Sequence, residues 1–259
     1  MLKGLYTIHT GLRNEQNRMD IMTNNLANAS TVGFKKEGST SQAFSDVLAY
    51  KVKDASVGLE NIQRIGVNNL GVKIGENYTD FSQGSFRITN NTYDLALSGE
   101  GFFAVEYTNS AGEVDTKYTR AGNFTLDVDG FLMSKDGDYV LDKSNNRIQI
   151  DTLSDSLIDE LGNIYQNDTL VAQVQVVDFE DYNYLEKYGD TYYQAIEGAK
   201  TIESNAKVIS GYLEMSNVQT VTEMVNMISI TRAYETNQKI MQTYDGSLEI
   251  AVNQLGKLQ

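Results

Sequence analysis

The chain has 259 residues, a hydrophobic content of 41% and a formal net charge of −14, with no cysteine and a single histidine, His9. This excludes a disulfide framework and a zinc site of histidine and cysteine ligands, and leaves serine–histidine catalysis to a histidine inside an apparent helical repeat. Residues 1–37 carry +2 and residues 216–259 carry −1, leaving −15 on the stretch between, which predicts no nucleic-acid partner.

No apolar run approaches the ~20 residues of a membrane span. The N-terminus has neither the apolar core nor the small-residue cleavage site of a secretory signal. The expectation is no membrane insertion, and either a cytoplasmic site or export without a cleaved signal.

Leu5, Leu12, Met19 and Leu26 recur every seven residues, with Ile8, Met22 and Ala29 in the companion row and Glu15 as its exception. The spacing predicts a helix roughly 40 Å long from Leu2 to Ala29. Gly4 and Gly11 weaken it by roughly 1 kcal/mol each, so it needs packing to persist. Next come Asn24, Asn25 and Asn28, three poor helix formers in five residues near a helix end, which suggests a polar role. Gly33 is suited to a positive φ that stops the helix, and Phe34 to folding back over that stop.

Asn24-Asn25-Leu26-Ala27-Asn28 followed by Thr31-Val32-Gly33-Phe34-Lys35 resembles the N-terminal signature of bacterial flagellar rod and hook proteins. Met1 to Thr7 and Gly11 are similar to it too. Where that family often has Val-Asn-Thr-Thr, this chain has Ala29-Ser30-Thr31-Val32.

Residues 35–80 read as an irregular connector with some β-structure. Phe44, Val47 and Leu48 suggest a short helical turn, and Arg64 to Ile74 looks strand-like around Val67, Leu70 and Val72. From Thr79 onward the pattern is β. Strands are expected at Tyr93–Leu97, Phe102–Tyr107, Tyr118–Arg120, Phe124–Leu126, Phe131–Met133, Val171–Phe179 and Tyr192–Ile196, with hairpin turns at Asp129-Gly130 and Asp136-Gly137. Ile202 to Val208 reads as an irregular return. Thr79 to Ser85, Tyr93 to Phe103 and Tyr118 to Phe124 resemble the middle domain of the same family.

The final segment, from Ser216, is again heptadic. Met227, Tyr234, Met241, Leu248 and Leu255 form one row; Ile230, Asn237, Tyr244, Ala251 and Leu258 form the other. The predicted helix is roughly 65 Å long. Ser216-x-x-Gln219 has the spacing of a capping box, and Glu223 suits the positive end of the helix dipole. Glu223 to Ile228 and Arg232 to Lys239 resemble the family's C-terminal signature. Arg232, Glu235 and Lys239 also have the spacing of a solvated charge ladder.

Other motifs carry little. Asp127-Val128-Asp129-Gly130 has carboxylates of a calcium loop, but its glycine comes too early and no bidentate glutamate follows. Gly99-Glu100-Gly101 lacks the third glycine and the helix of a dinucleotide site. No carboxylate pair stands out, so neither catalytic residues, nor a metal, nor a cofactor is expected.

The expected fold is α+β: long N- and C-terminal helices forming a coiled-coil-like pair, with a mainly antiparallel β middle domain. Its divisions are 1–34 (assembly helix), 35–80 (connector), 81–215 (β-domain) and 216–259 (assembly helix). The resemblance implies a structural, self-assembling rod component of the flagellar basal body, either the distal rod protein or its proximal-rod relative. It further implies assembly with copies of itself into a helical oligomer and with other rod and hook proteins, and signal-free passage through the flagellar export apparatus. The expected assembly residues are Leu5, Leu12, Met19, Asn24, Asn25, Leu26, Asn28, Gly33, Phe34, Met227, Ile230, Arg232, Tyr234, Glu235, Met241, Tyr244, Leu248 and Leu255. The alternative is an oligomeric carbohydrate-binding or carbohydrate-active β-domain on a coiled-coil stalk.

Overall fold

The computed structural model describes residues 2–44, 47–52, 62–69, 71–109 and 112–256. The fold is α+β, and the chain forms two compact units. One gathers residues 1–26, 37–80 and 220–259; the other gathers residues 27–36 and 81–219.

The first unit contains α1 (Leu2–Ala27), β1 (Glu37–Ala43), β2 (Val47–Val52), β3 (Ile62–Asn68), β4 (Val72–Thr79) and α2 (Thr220–Gly256). Strand β1 pairs antiparallel with β4, and β2 with β3. Val47 and Leu48 therefore lie in a strand, not the helical turn expected of them. The strand-like stretch from Arg64 to Ile74 falls on two strands, β3 holding Val67 and β4 holding Val72, and Leu70 between them lies outside the described residues. α1 keeps its row residues Leu5, Leu12, Met19 and Leu26 half-buried. Glu15, the exception in that pattern, is held in an ion pair with Arg18 at 3.1 Å. α2 approaches α1 at the two glycines. A Cβ on Gly4 would stand 3.0 Å from the Tyr244 hydroxyl, and one on Gly11 would stand 3.4 Å from Asn237 Nδ2.

α2 starts at Thr220, so Ser216 is not its cap. The Ser216 hydroxyl instead accepts from the Val218 backbone at 3.3 Å, a turn that precedes the helix. No ion pair joins Arg232, Glu235 and Lys239 among the described residues, and all three are exposed.

The second unit holds the remaining strands. They are β5 (Phe86–Ile88), β6 (Leu95–Ser98), β7 (Phe102–Thr108), β8 (Val114–Thr119), β9 (Phe124–Leu126), β10 (Leu132–Ser134), β11 (Tyr139–Val140) and β12 (Ser156–Ile158). Then follow β13 (Asn163–Gln166), β14 (Thr169–Gln173), β15 (Val176–Phe179), β16 (Leu185–Tyr188), β17 (Tyr192–Ala195), β18 (Thr201–Glu203), β19 (Lys207–Ser210) and β20 (Tyr212–Glu214). The main sheet runs β16-β17-β8-β7-β11-β10-β9, with β15 bridging β7 and β18. Beside it lie the sheet β12-β13-β14 and the pairs β6-β19 and β5-β20. All these pairings are antiparallel.

Strand β7 shows why the unit coheres. Phe102, Phe103, Ala104 and Val105 are all buried, so both faces of the strand are covered. Phe103 and Val105 face an aliphatic core with Leu95, Phe124, Ile164 and Val208. Phe102 faces an aromatic one with Phe179 and Tyr193, against which Phe81, Tyr118 and Tyr182 pack. The hairpin turns at Asp129-Gly130 and Asp136-Gly137 form as expected, both glycines taking positive φ. Two expectations fail. Val171 to Phe179 is divided between β14 and β15, and the stretch read as an irregular return contains β18 and β19.

One buried carboxyl in this unit has a pH consequence. Burial pushes the Asp138 carboxyl above its usual range; a hydrogen bond from the Tyr192 hydroxyl opposes this and the neighbouring Asp136 adds to it. A folded pKa above the unfolded value (about 3.9 for Asp) gives stability that is complete below that value and lost as pH rises through the folded pKa. Asp138→Asn keeps an acceptor for Tyr192 and removes the charge. Its melting temperature is expected to exceed that of the parent by a few degrees at pH 7 and to match it at pH 3. An equal shift at both values would show that ionisation is not the cause.

Candidate assembly surfaces

The asparagine-rich helix end has defined local functions. The Asn25 side chain is buried and clamps the Glu37 backbone from both sides. Its Oδ1 accepts from the Glu37 amide at 2.9 Å, and its Nδ2 donates to the Glu37 carbonyl at 2.7 Å. Asn28 Oδ1 accepts from the Thr31 hydroxyl at 3.0 Å. Asn24 is exposed.

The segment after the helix is a clasp built into the second unit. The Gly33 amide donates to the Glu214 carbonyl at 2.8 Å, and Val32 forms a β-bridge with Met215. Gly33 has φ +70°, and a Cβ there would collide with the backbone of Arg120 and Ala121, so glycine is required twice over. Phe34 is fully buried, with the Lys187 ammonium 4.2 Å from its ring centroid. The Lys36 amide donates to Asn217 Oδ1 at 2.8 Å.

Beneath this backbone pairing lies a buried charge cluster. Lys35 Nζ is 2.7 Å from Glu214 Oε1 and 2.8 Å from the Ser82 carbonyl; Arg120 Nη1 is 3.4 Å from Glu214 Oε2. The Gly84 amide also donates to Glu214 Oε1, at 2.9 Å. All three charged side chains are at most 2% exposed. Two cations thus share one carboxylate in a desolvated site, where such a group persists only if its hydrogen bonds are made.

On α2 the expected rows are the more sheltered ones. Met227, Tyr234, Met241 and Leu248 are half-buried and Ile230 is buried. Tyr244 is more open, and the side chain of Leu255 is outside the described ones. A second apolar stripe runs along Val221, Met224, Val225 and Ile228, at helical spacing i, i+3, i+4 and i+7, and it faces solvent at 73%, 50%, 60% and 54% exposure. Glu223 is fully buried between its members in sequence.

Comparison with known proteins fits this geometry to a family. Three family descriptions match: the flagella basal body rod protein over residues 5–35, the flagellar hook protein FlgE/F/G D1 domain over 96–166, and the flagellar basal body rod FlgEFG protein C-terminal region over 209–255. Over 98% of its length the chain is 32% identical to the flagellar basal-body rod protein FlgG of Bacillus subtilis, covering 99% of that protein. The chain belongs to the flagellar basal-body rod protein family. It is 34% identical to the rod protein FlgF of Caulobacter vibrioides over 93% of the chain and 92% of the relative. To FlgG of Buchnera aphidicola from Acyrthosiphon pisum it is 31% identical over 96% of the chain and 98% of the relative. It is a structural component of the rod and not an enzyme, and these relatives lend no support to the carbohydrate alternative.

The matched terminal regions coincide with the clasp and the helices described above. The structure brings Tyr244 to Gly4, and joins Gly33 to Glu214. Arg232 and Glu235 are exposed and form no ion pair with each other among the described residues. Sequence reasoning missed the exposed stripe from Val221 to Ile228. The signal was present in its spacing, but the seven-residue count anchored on Met227 selected the neighbouring face.

Among the described residues, no helix is long and apolar enough to cross a membrane.

Proposed function

We propose that this rod protein builds a helical homo-oligomer through its terminal helices, with 1–34 and 216–259 as assembly segments, 35–80 as connector and 81–215 as the acidic β-domain. In this reading α1 and α2 pair in coiled-coil fashion. The approaches of Gly4 to Tyr244 and of Gly11 to Asn237 support antiparallel pairing, since seven residues forward on one helix meet seven backward on the other.

The observation that carries the proposal is the solvent-facing stripe Val221, Met224, Val225 and Ile228. Fully burying such a side chain stabilises an interface by ~1.5–3 kcal/mol. A patch on one helix that meets a different surface on the next copy gives a head-to-tail contact, and a rotation that does not close gives a helical filament. The half-buried rows from Leu5 to Leu26 and from Met227 to Leu248 then hold the helix pair, while Asn25 holds the Glu37 backbone and Gly33 and Phe34 seat the segment after α1 in the second unit. The chain also meets other rod and hook proteins at its axial ends and passes through the flagellar export apparatus without a cleaved signal.

Deletion of the gene in the source bacterium tests the function. Basal bodies viewed by electron microscopy are expected to have absent or shortened rods, and the cells to be non-motile. Rods of normal length with full motility would overturn the proposal.

A further inference from the structure

The sheet β12-β13-β14 has an outer face of the wrong polarity for solvent. Its inner face contributes Ile164 to the core. On the outer face, Leu157 pairs with Tyr165 and Tyr165 with Leu170, forming one row across all three strands. Leu157 is 67% exposed and Leu170 59%. A one-sided antiparallel sheet ordinarily turns polar residues outward, and contiguous exposed apolar side chains mark interaction surfaces. Strand β14 shifts register opposite Ile164 and Tyr165, and Val171 at that shift is also exposed. It lines a cleft of about 480 Å³ together with Val128, Asp129, Asp151 and Gln166.

The charge around this face says what fits it. Residues 148–173, which lead into and form this sheet, contain five carboxylates and no lysine or arginine. Asp129, Asp155 and Asp168 are exposed beside the cleft or at the ends of the sheet strands. Asp129 makes no side-chain hydrogen bond or ion pair among the described residues, whereas Asp151 is occupied in capping its own turn through Leu153 and Ser154. Three exposed lysines of the same unit are already paired with its carboxylates: Lys143 with Glu203, Lys200 with Glu180 and Lys207 with Glu160. A second copy of this acidic unit would therefore bring like charge to like. We infer that the face formed by Leu157, Tyr165, Leu170 and the adjoining cleft docks a different protein, one that presents lysine or arginine around an apolar contact. Opposite charge at the rim then speeds and selects the encounter while the leucine row supplies the dry centre.

The inference rests on the rod reading, and the test separates the two. A benzophenone amino acid is placed at Leu170, or at Met224 as the comparison site, in the full chain expressed in the deletion strain. Cells are irradiated, and the cross-linked peptides of purified basal bodies are identified by mass spectrometry. Position 170 is expected to cross-link to a different protein, within a few residues of a lysine or arginine; position 224 is expected to cross-link to a second copy. Adding Asp129→Lys and Asp155→Lys, with an unchanged melting temperature, is expected to lower the yield at 170 by about tenfold or more, since like-charge juxtaposition costs several kcal/mol, and to leave the yield at 224 unchanged. Cross-linking of 170 to a second copy, to a peptide without basic residues, or to nothing while 224 reacts would overturn the docking inference alone. Failure at both positions overturns the rod reading and the inference with it.

Discussion

Replacing Glu214 with alanine is expected to cost ~3–5 kcal/mol of folding stability, the range for breaking a buried ion pair from one side. Glu214 is fully buried, and its carboxylate serves Lys35, Arg120 and the Gly84 amide together. Removing it leaves two cations that are 1% and 2% exposed with their counter-ion gone. Lys35→Met is expected to cost less, because Arg120 and Glu214 still neutralise each other. The exposed pair Lys207 and Glu160, at 2.7 Å with both side chains 67% exposed, is a useful comparison. Lys207→Ala is expected to change stability by under ~1 kcal/mol despite the equally short contact, since solvated pairs gain little. Urea unfolding of the three variants gives the ranking directly. A Glu214→Ala loss no greater than that of Lys207→Ala would show that the cluster is not electrostatically closed as described. The cluster ties the segment that follows α1 to β20, the strand that precedes α2 in sequence.

How much of this was legible beforehand depended on how local the signal is. α1 was expected to end at Ala29 and ends at Ala27; α2 was expected from Ser216 and starts at Thr220. Helical rows are written every three or four residues, so a single pass along the chain finds them. Strands with a hairpin partner, such as β9 and β10, were equally readable through their alternation and Asp-Gly turn. Strand β19 was not, because its partner β6 lies about a hundred residues away and Lys207 to Ser210 has no alternation of its own. Strand β1 escaped because Glu-Gly-Ser-Thr-Ser-Gln-Ala carries no one-faced pattern, and β2 because its apolar run, Val47 to Val52, has no alternation to separate it from a helical turn. The charge cluster was the least legible feature. Lys35 and Glu214 are 179 positions apart, and a lysine inside a glycine-phenylalanine turn gives no sign that it will be buried. The family resemblance marked Gly33 to Lys35 as a motif, and the structure supplies its physical content: a backbone bridge, an obligatory glycine and a buried ammonium.

The double substitution Val225→Asp and Ile228→Asp is expected to abolish rod incorporation while leaving the isolated chain folded. Both residues are more than half exposed, so neither substitution opens a cavity. Valine, isoleucine and aspartate have comparable helix propensities. Unfolding midpoints are therefore expected to stay within ~1 kcal/mol of the parent, as for surface substitutions generally. In an assembled rod the same positions would bury two carboxylates against an apolar surface, and only position 228 has a cation within a turn of α2 to offset part of that cost. The nearest basic residue along α2 is Arg232, one turn beyond Ile228, and the charge of the chain as a whole is −14. Ile230→Asp separates the two kinds of effect. Ile230 is only 2% exposed, so its substitution is expected to destabilise the folded chain itself, and a defect in assembly would follow from misfolding. Motility, basal-body microscopy and thermal melts of the same preparations distinguish these outcomes. Normal rods from the folded double variant would move the intersubunit contact off this face of α2 and leave the half-buried heptad rows as the surface to test next.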